Sequence, residues 1–141
     1  MKGRVFLDTN ILVYSVLRDD SYKHDKALHF LETLRGEVIF ISTQVVNELY
    51  VSLLKYELSD EDIENIVGEI ISLYNISMIS VGIIKSAWNL RKRYKLSYRD
   101  SLIIASALES ECELLYTENM QDGLIINGRL TIKNPFSLEN L

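Results

Sequence analysis

Arg4-Val5-Phe6-Leu7-Asp8-Thr9-Asn10 reads as a short β-rich run that stops on an acid and turns into a helix, and the rest of the chain repeats that pattern. Val38 to Ser42, Ile76 to Ile79 and Leu114 to Thr117 are further β-rich runs. Helical periodicity fills the gaps. The clearest case follows Ser59, where Ile63, Ile66, Val67, Ile70, Ile71 and Tyr74 recur on one face and Ser59 with Asp62 resembles a capping box. A second stripe, Val46, Leu49, Tyr50, Leu53 and Leu54, follows Thr43, which reads as an N-cap. His24 to Leu34 and Ile83 to Tyr94 are amphipathic, while Leu102 to Leu108 is apolar nearly all round and predicts a buried helix. Strands alternating with helices predict an α/β sandwich around a mostly parallel sheet, joined by right-handed crossovers. In that architecture ligands gather at the carboxyl ends of the strands, which is where Asp8 falls.

A chain of 141 residues fits one domain spanning 1–141 and can bury a core without staples. With 48% hydrophobic residues and no low-complexity tract, disorder is excluded. The lone Cys112 rules out an intrachain disulfide or a CxxC pair, and it reads as inert packing in a reducing compartment. After Lys2 and Arg4 the apolar run ends at Asp8, too short for a signal peptide, and no stretch approaches the ~18 apolar residues of a membrane helix. The expectation is a cytoplasmic protein without a membrane span.

Asp8, Glu48 and Asp100 each have an ordinary reading. Asp8 can cap the helix it precedes, with Thr9 or Asn10 as alternative caps. Glu48 can serve the helix dipole from the face opposite the Val46/Leu49/Leu53 stripe. Asp100 can complete a capping box with Ser97. A further polar cluster, Thr117-Glu118-Asn119-Met120-Gln121-Asp122-Gly123, ends the fourth run, and its Asp122-Gly123 suits a turn. Joint placement argues for more. Neighbouring strands lie about 4.8 Å apart, so these groups would converge within reach of one ion. Converging carboxylates repel unless a hard cation sits between them, and an oxygen-only donor set favours Mg²⁺ or Mn²⁺ with phosphate oxygens completing the shell. Zinc is disfavoured, because His24 and His29 are badly spaced and there is no thiolate pair.

A formal net charge of -5 argues at first against a nucleic-acid partner. Bound divalent ions would offset part of it, so the placement of basic residues matters more. Arg91, Lys92, Arg93, Lys95 and Arg99 concentrate just ahead of Asp100 and read either as RNA phosphate contacts or as a solvated helix face, and Arg99 reads further as a partner for Asp100.

Phe6 to Ser15 (FLDTNILVYS), Ser42 to Tyr50 (STQVVNELY), Leu96 to Ser110 (LSYRDSLIIASALES), Leu114 to Gly123 (LLYTENMQDG) and the closing Asn134-Pro135-Phe136 together resemble the PIN-domain ribonucleases, and among them the VapC-type toxins of toxin–antitoxin pairs. The resemblance implies a three-layer α/β/α sandwich with a four- to five-stranded, mostly parallel sheet. It implies metal-binding and catalytic roles for Asp8, Glu48 and Asp100, with Thr9 and Thr117 as polar partners beside them. It further implies a homodimer, and an antitoxin that inserts a basic side chain toward the acids. The family often carries an aspartate where this chain has Asn119, so the fourth metal-binding position is divided between Asn119 and Asp122. The function this implies is Mg²⁺- or Mn²⁺-dependent hydrolysis of RNA, leaving a 5′-phosphate and a 3′-hydroxyl. The competing readings are a PIN-fold interaction module with a degraded metal site and, ranked lower, an aspartyl-phosphate enzyme.

Overall fold

The computed structural model describes residues 3–137, so Lys2 lies outside the described residues. Strand β1 (Arg4–Leu7) leads into α1 (Thr9–Val16) and α2 (Ser21–Thr33); β2 (Val38–Ser42) leads into α3 (Thr43–Leu54) and α4 (Asp60–Leu73). Then come β3 (Asn75–Ser77), α5 (Val81–Tyr94), α6 (Tyr98–Glu109), β4 (Leu114–Tyr116), β5 (Ile125–Ile126) and β6 (Leu130–Lys133). The six strands form one sheet in the order β3-β2-β1-β4-β6-β5. All neighbouring pairs are parallel except β5 with β6.

The order fixes the layers. The chain steps outward from β1 to β2 to β3, then crosses back to β4 on the other side of β1. Right-handed crossovers taken in opposite directions put α1–α4 on one face and α5–α6 on the other. Packing follows that division: α1 lies on α2 and α3, α3 on α4, and α5 on α6. The reversal between β1 and β4 is a topological switch point, the place where an open parallel sheet presents a crevice.

The sheet exceeds the expected four to five strands because β5 and β6 add a hairpin. Its three-residue loop is Asn127-Gly128-Arg129, in which Asn127 and Gly128 have positive φ (52° and 64°) and the Arg129 amide closes back on the Ile126 carbonyl at 2.9 Å. In the core, Phe6, Leu7, Ile41 and Leu115 are fully buried, and α6 buries Ser101 and Ile103 to Ala107, as its all-round apolar pattern predicts. On α3 the deepest stripe is Val45, Leu49 and Leu53; Val46 and Tyr50 are only partly buried and Leu54 is exposed. Cys112 is buried, and burial pushes its thiol up to about 12. Among the described residues no helix is long and apolar enough to cross a membrane.

Side-chain caps start each helix. Ser59 and Ser97 accept the amides of Asp62 and Asp100, as expected, but α3 is capped by Ser42, the last residue of β2, rather than by Thr43. Thr43 Oγ1 instead accepts the Ile79 amide at 3.3 Å, tying α3 to the segment after β3. Neither Thr9 nor Asn10 caps α1; Asp8 does, accepting the Thr9 amide at 2.7 Å. Ser97→Ala should cost about 1 kcal/mol of stability, read as a lower urea midpoint at unchanged slope, because the first turn of α6 loses its only side-chain cap.

Candidate active site

Asp8 ends β1 and is fully buried, so its charge must be met by donors rather than water. It has four: the Thr9 amide, Thr117 Oγ1 at 2.8 Å, and Arg99 Nη1 and Nη2 at 3.0 and 2.6 Å. Thr117 follows β4, and its backbone amide donates to Lys133 in β6. While donating to Asp8, the Thr117 hydroxyl accepts from Asn10 Nδ2 at 3.3 Å and from the Asn119 amide at 3.2 Å. The ends of β1 and β4 and the start of α1 therefore meet on one hydroxyl.

Glu48 reaches the same place from α3, and Asp100 from the first turn of α6. Arg99 lies between them. Its Nε and Nη2 donate to Glu48 at 3.1 and 2.6 Å, its Nη1 to Asp100 at 3.2 Å, and its Nη2 to Thr9 Oγ1 at 3.3 Å. Thr9 Oγ1 in turn donates to Glu48 at 2.6 Å. Gln44 Nε2, one turn before Glu48, donates to Glu48 and to the Arg99 carbonyl, at 3.3 and 3.2 Å. Partial burial alone would raise the Glu48 carboxyl. The Arg99, Thr9 and Gln44 bonds outweigh it and hold the group below the usual glutamate range. For Arg99, burial favours the neutral form, but Asp8 and Glu48 raise its pKa above the ordinary arginine value.

Of these groups Thr9, Asn10, Glu48, Arg99 and Asp100 line an open cleft of about 750 Å³ whose other walls include Val13, Tyr14 and Val51, while Asp8 is buried and does not line it. Glu118 and the exposed Asn119 also line it. Glu118 is already paired, accepting from Tyr14 Oη and Lys23 Nζ, while the Lys23 ammonium also stands 4.7 Å from the Phe136 ring centre. Asp122 does not line the cleft: its carboxylate accepts the Asn134 amide at 2.8 Å and braces the turn after β4. Nor does the structure bring Arg91, Lys92, Arg93 or Lys95 to the acids. Arg91 to Arg93 occupy the last turn of α5, where positive charge suits the helix dipole. Arg93 Nη1 donates to Asn127 at 3.2 Å in a separate hollow. Lys95 takes a left-handed backbone (φ 56°) that ends the helix. Of that basic group only Arg99 enters the cleft. His24 is a buried packing residue whose ring nitrogen bonds the Tyr14 carbonyl oxygen at 2.8 Å, and His29 is exposed.

The side-chain atoms that accept from the guanidinium are all oxygens, the chemistry a hard divalent cation takes. Among the described residues no three acidic, imidazole or thiol groups stand close enough to hold a metal ion as they are. Arg99 keeps the three carboxylates one guanidinium apart.

The PIN domain family model matches residues 5–121, most of the chain. The chain belongs to the PIN-domain family. Solved structures similar to this PIN domain include a toxin–antitoxin complex from Klebsiella pneumoniae, 28% identical with a TM-score of 0.71 over 95% of this chain and 99% of that one. VapBC2 from Rickettsia felis, bound to a promoter DNA fragment, is 24% identical with a TM-score of 0.71 over 93% and 98%. The sarcin–ricin-loop-cleaving toxin VapC20 from Mycobacterium tuberculosis is 15% identical with a TM-score of 0.66 over 79% and 86%, a likeness of fold. Among curated proteins, none matches the sequence significantly.

Because the folded state lowers the Glu48 pKa, its contribution to stability is present above the unfolded value of about 4.3 and is lost as pH falls through the lower folded value. The thermal midpoint of the metal-free protein should therefore fall on acidification below about pH 4.3, and Glu48→Gln should flatten that decline in a series of melts.

Proposed function

We propose that this PIN domain is a Mg²⁺- or Mn²⁺-dependent ribonuclease and the toxin of a toxin–antitoxin pair. The observation that carries the reading is the convergence of Asp8, Glu48 and Asp100, from three different elements, on one cationic centre at the switch point of the sheet. Those carboxylates would hold the ion, which when bound lowers the pKa of a water and polarises the scissile phosphate. Asp8 is the fixed member, because Thr9 and Thr117 leave its carboxylate no freedom to turn. Glu48, held by Thr9 and Gln44, would either share in holding the ion or orient the attacking water. Asn119 offers an amide oxygen at the cleft, whereas Asp122 is committed elsewhere, so the donor set supports one ion more than two.

The toxin assignment draws on the resemblance across the chain and on the toxin–antitoxin complexes among its structural neighbours. An antitoxin would lie against the apolar wall formed by Val13, Tyr14 and Val51. The homodimer and the cytoplasmic location come with the same assignment. Arg99 among the acids, and Asn119 where the family often has aspartate, favour a second reading: a PIN-fold interaction module that no longer cleaves RNA.

The two separate in one experiment. With Mg²⁺, the wild-type protein should cut single-stranded RNA and EDTA should stop it. Asp100→Asn should slow cleavage by roughly a hundredfold or more, since ion-based charge stabilisation supplies several kcal/mol and each ~1.4 kcal/mol is tenfold. Equal cleavage by both proteins, with and without EDTA, would falsify the nuclease assignment. No cleavage, together with a thermal midpoint unmoved by millimolar Mn²⁺, would establish the module. Thr117→Val should leave the fold intact while lowering activity about 10–100-fold, the usual effect of removing a partner that orients a ligand.

A further inference from the structure

We propose that Arg99 is a built-in counter-cation that occupies the place of the divalent ion, so that an ion enters only when the Arg99 side chain leaves. The inference rests on the metal-site reading above and adds a competitor from the chain itself.

The geometry makes the two cations exclusive. Arg99 Nη2 stands 2.6 Å from Asp8 Oδ1 and 2.6 Å from Glu48 Oε1. An ion held by Asp8 and Glu48 would draw on the same carboxylate oxygens that the guanidinium now engages. Asp100 is engaged too, through Nη1. The guanidinium thus spends all three of its nitrogens on the oxygens an ion would use. Of the described residues lining the cleft, Arg99 is the one cation, and the neighbouring Lys23 is committed to Glu118.

Displacement asks little of the fold. The Arg99 carbonyl is held by Gln44 and the turn beneath it by Ser97, so the main chain has reason to stay. The side chain is 34% exposed and opens on the cleft, so rotation about its own bonds can carry the guanidinium to solvent. Charge favours the exchange. Three carboxylates and one guanidinium leave two negative charges, and a divalent ion cancels them while Arg99 remains at the rim. The displaced guanidinium would then face the phosphate that the ion binds, with the fork geometry suited to it. Without an ion the same side chain offsets one of the three negative charges and hydrogen-bonds all three acids, so this PIN domain is stable metal-free and binds an ion more weakly than the same acids would without Arg99.

The test measures ion binding, not cleavage. Mn²⁺ is titrated calorimetrically into wild type, Arg99→Gln and Asp8→Asn. Arg99→Gln should bind at least about tenfold tighter than wild type, equivalent to ~1.4 kcal/mol of removed competition, and Asp8→Asn should lose binding. Equal affinity in wild type and Arg99→Gln overturns the proposal and leaves the metal site standing. Absence of binding in both overturns the metal site and the proposal together. Since Arg99→Gln leaves buried charge uncompensated and can fail to fold, wild type is also followed by NMR during Mg²⁺ addition. The Arg99 Nε–H signal should lose its hydrogen-bonded shift in step with the Thr9 amide. A Thr9 amide that titrates while Arg99 Nε–H stays put is the contrary result.

Discussion

A carboxylate with no exposed surface ends the central strand of this protein, and the surrounding structure is arranged to satisfy it. Placing the Asp8 charge beyond the reach of water demands several donors at once, and no single element could supply them. The Thr9 amide comes from the helix that Asp8 itself caps, the Thr117 hydroxyl from the next strand across the switch point, and the Arg99 guanidinium from a helix on the opposite face of the sheet. The ordinary reading of Asp8 as a helix cap therefore holds, and it is compatible with the proposed metal-binding role. Capping uses one oxygen, and the further donors gather around the same carboxylate.

The same requirement joins the layers. The α1–α4 and α5–α6 groups lie on opposite faces and would otherwise be separated by the sheet. At its carboxyl edge Arg99 and the Gln44 bond to the Arg99 carbonyl connect α6 to α3 and α1. What holds the two halves of the crevice together is also what fills it. This ties local stability to whatever cation the acids are given, and it gives one arginine a part both in packing and in ligand competition.

Most of the fold is legible in the sequence because it rests on local periodicity. The strands at Arg4, Val38 and Leu114, the stripe after Ser59 and the apolar helix after Ser97 are patterns a short window contains. The β5–β6 hairpin was readable as well, since Asn127-Gly128 between Ile126 and Leu130 is a turn signal, but strands this short hide it. Glu48 and Asp100 could be placed at strand ends by topology alone. For Arg99 adjacency suggests the pairing with Asp100, but not the reach to Asp8 and Glu48. Basic residues at Arg91 to Lys95 and at Arg99 look alike as a run of charge, and only the backbone decides that the first group closes a helix while the last points among the acids. Asp122 is a second case: its carboxylate accepts the Asn134 amide and does not line the cleft. Side-chain partners chosen across the sheet leave no trace in sequence spacing.

The final strand bears on where this domain stops. The family match ends at residue 121, yet the amide of Thr117 leans on Lys133, and that of Gly123 on Ile132. Phe136, further on, stacks edge-on against Tyr14 at 5.4 Å. A fragment cut to the boundaries of the match would keep Asp8, Glu48 and Asp100 and lose the scaffolding behind the hydroxyl that donates to Asp8. The working unit is thus larger than the recognisable one, and excision, fusion or permutation of this chain has to preserve the stretch through Phe136 as part of the site.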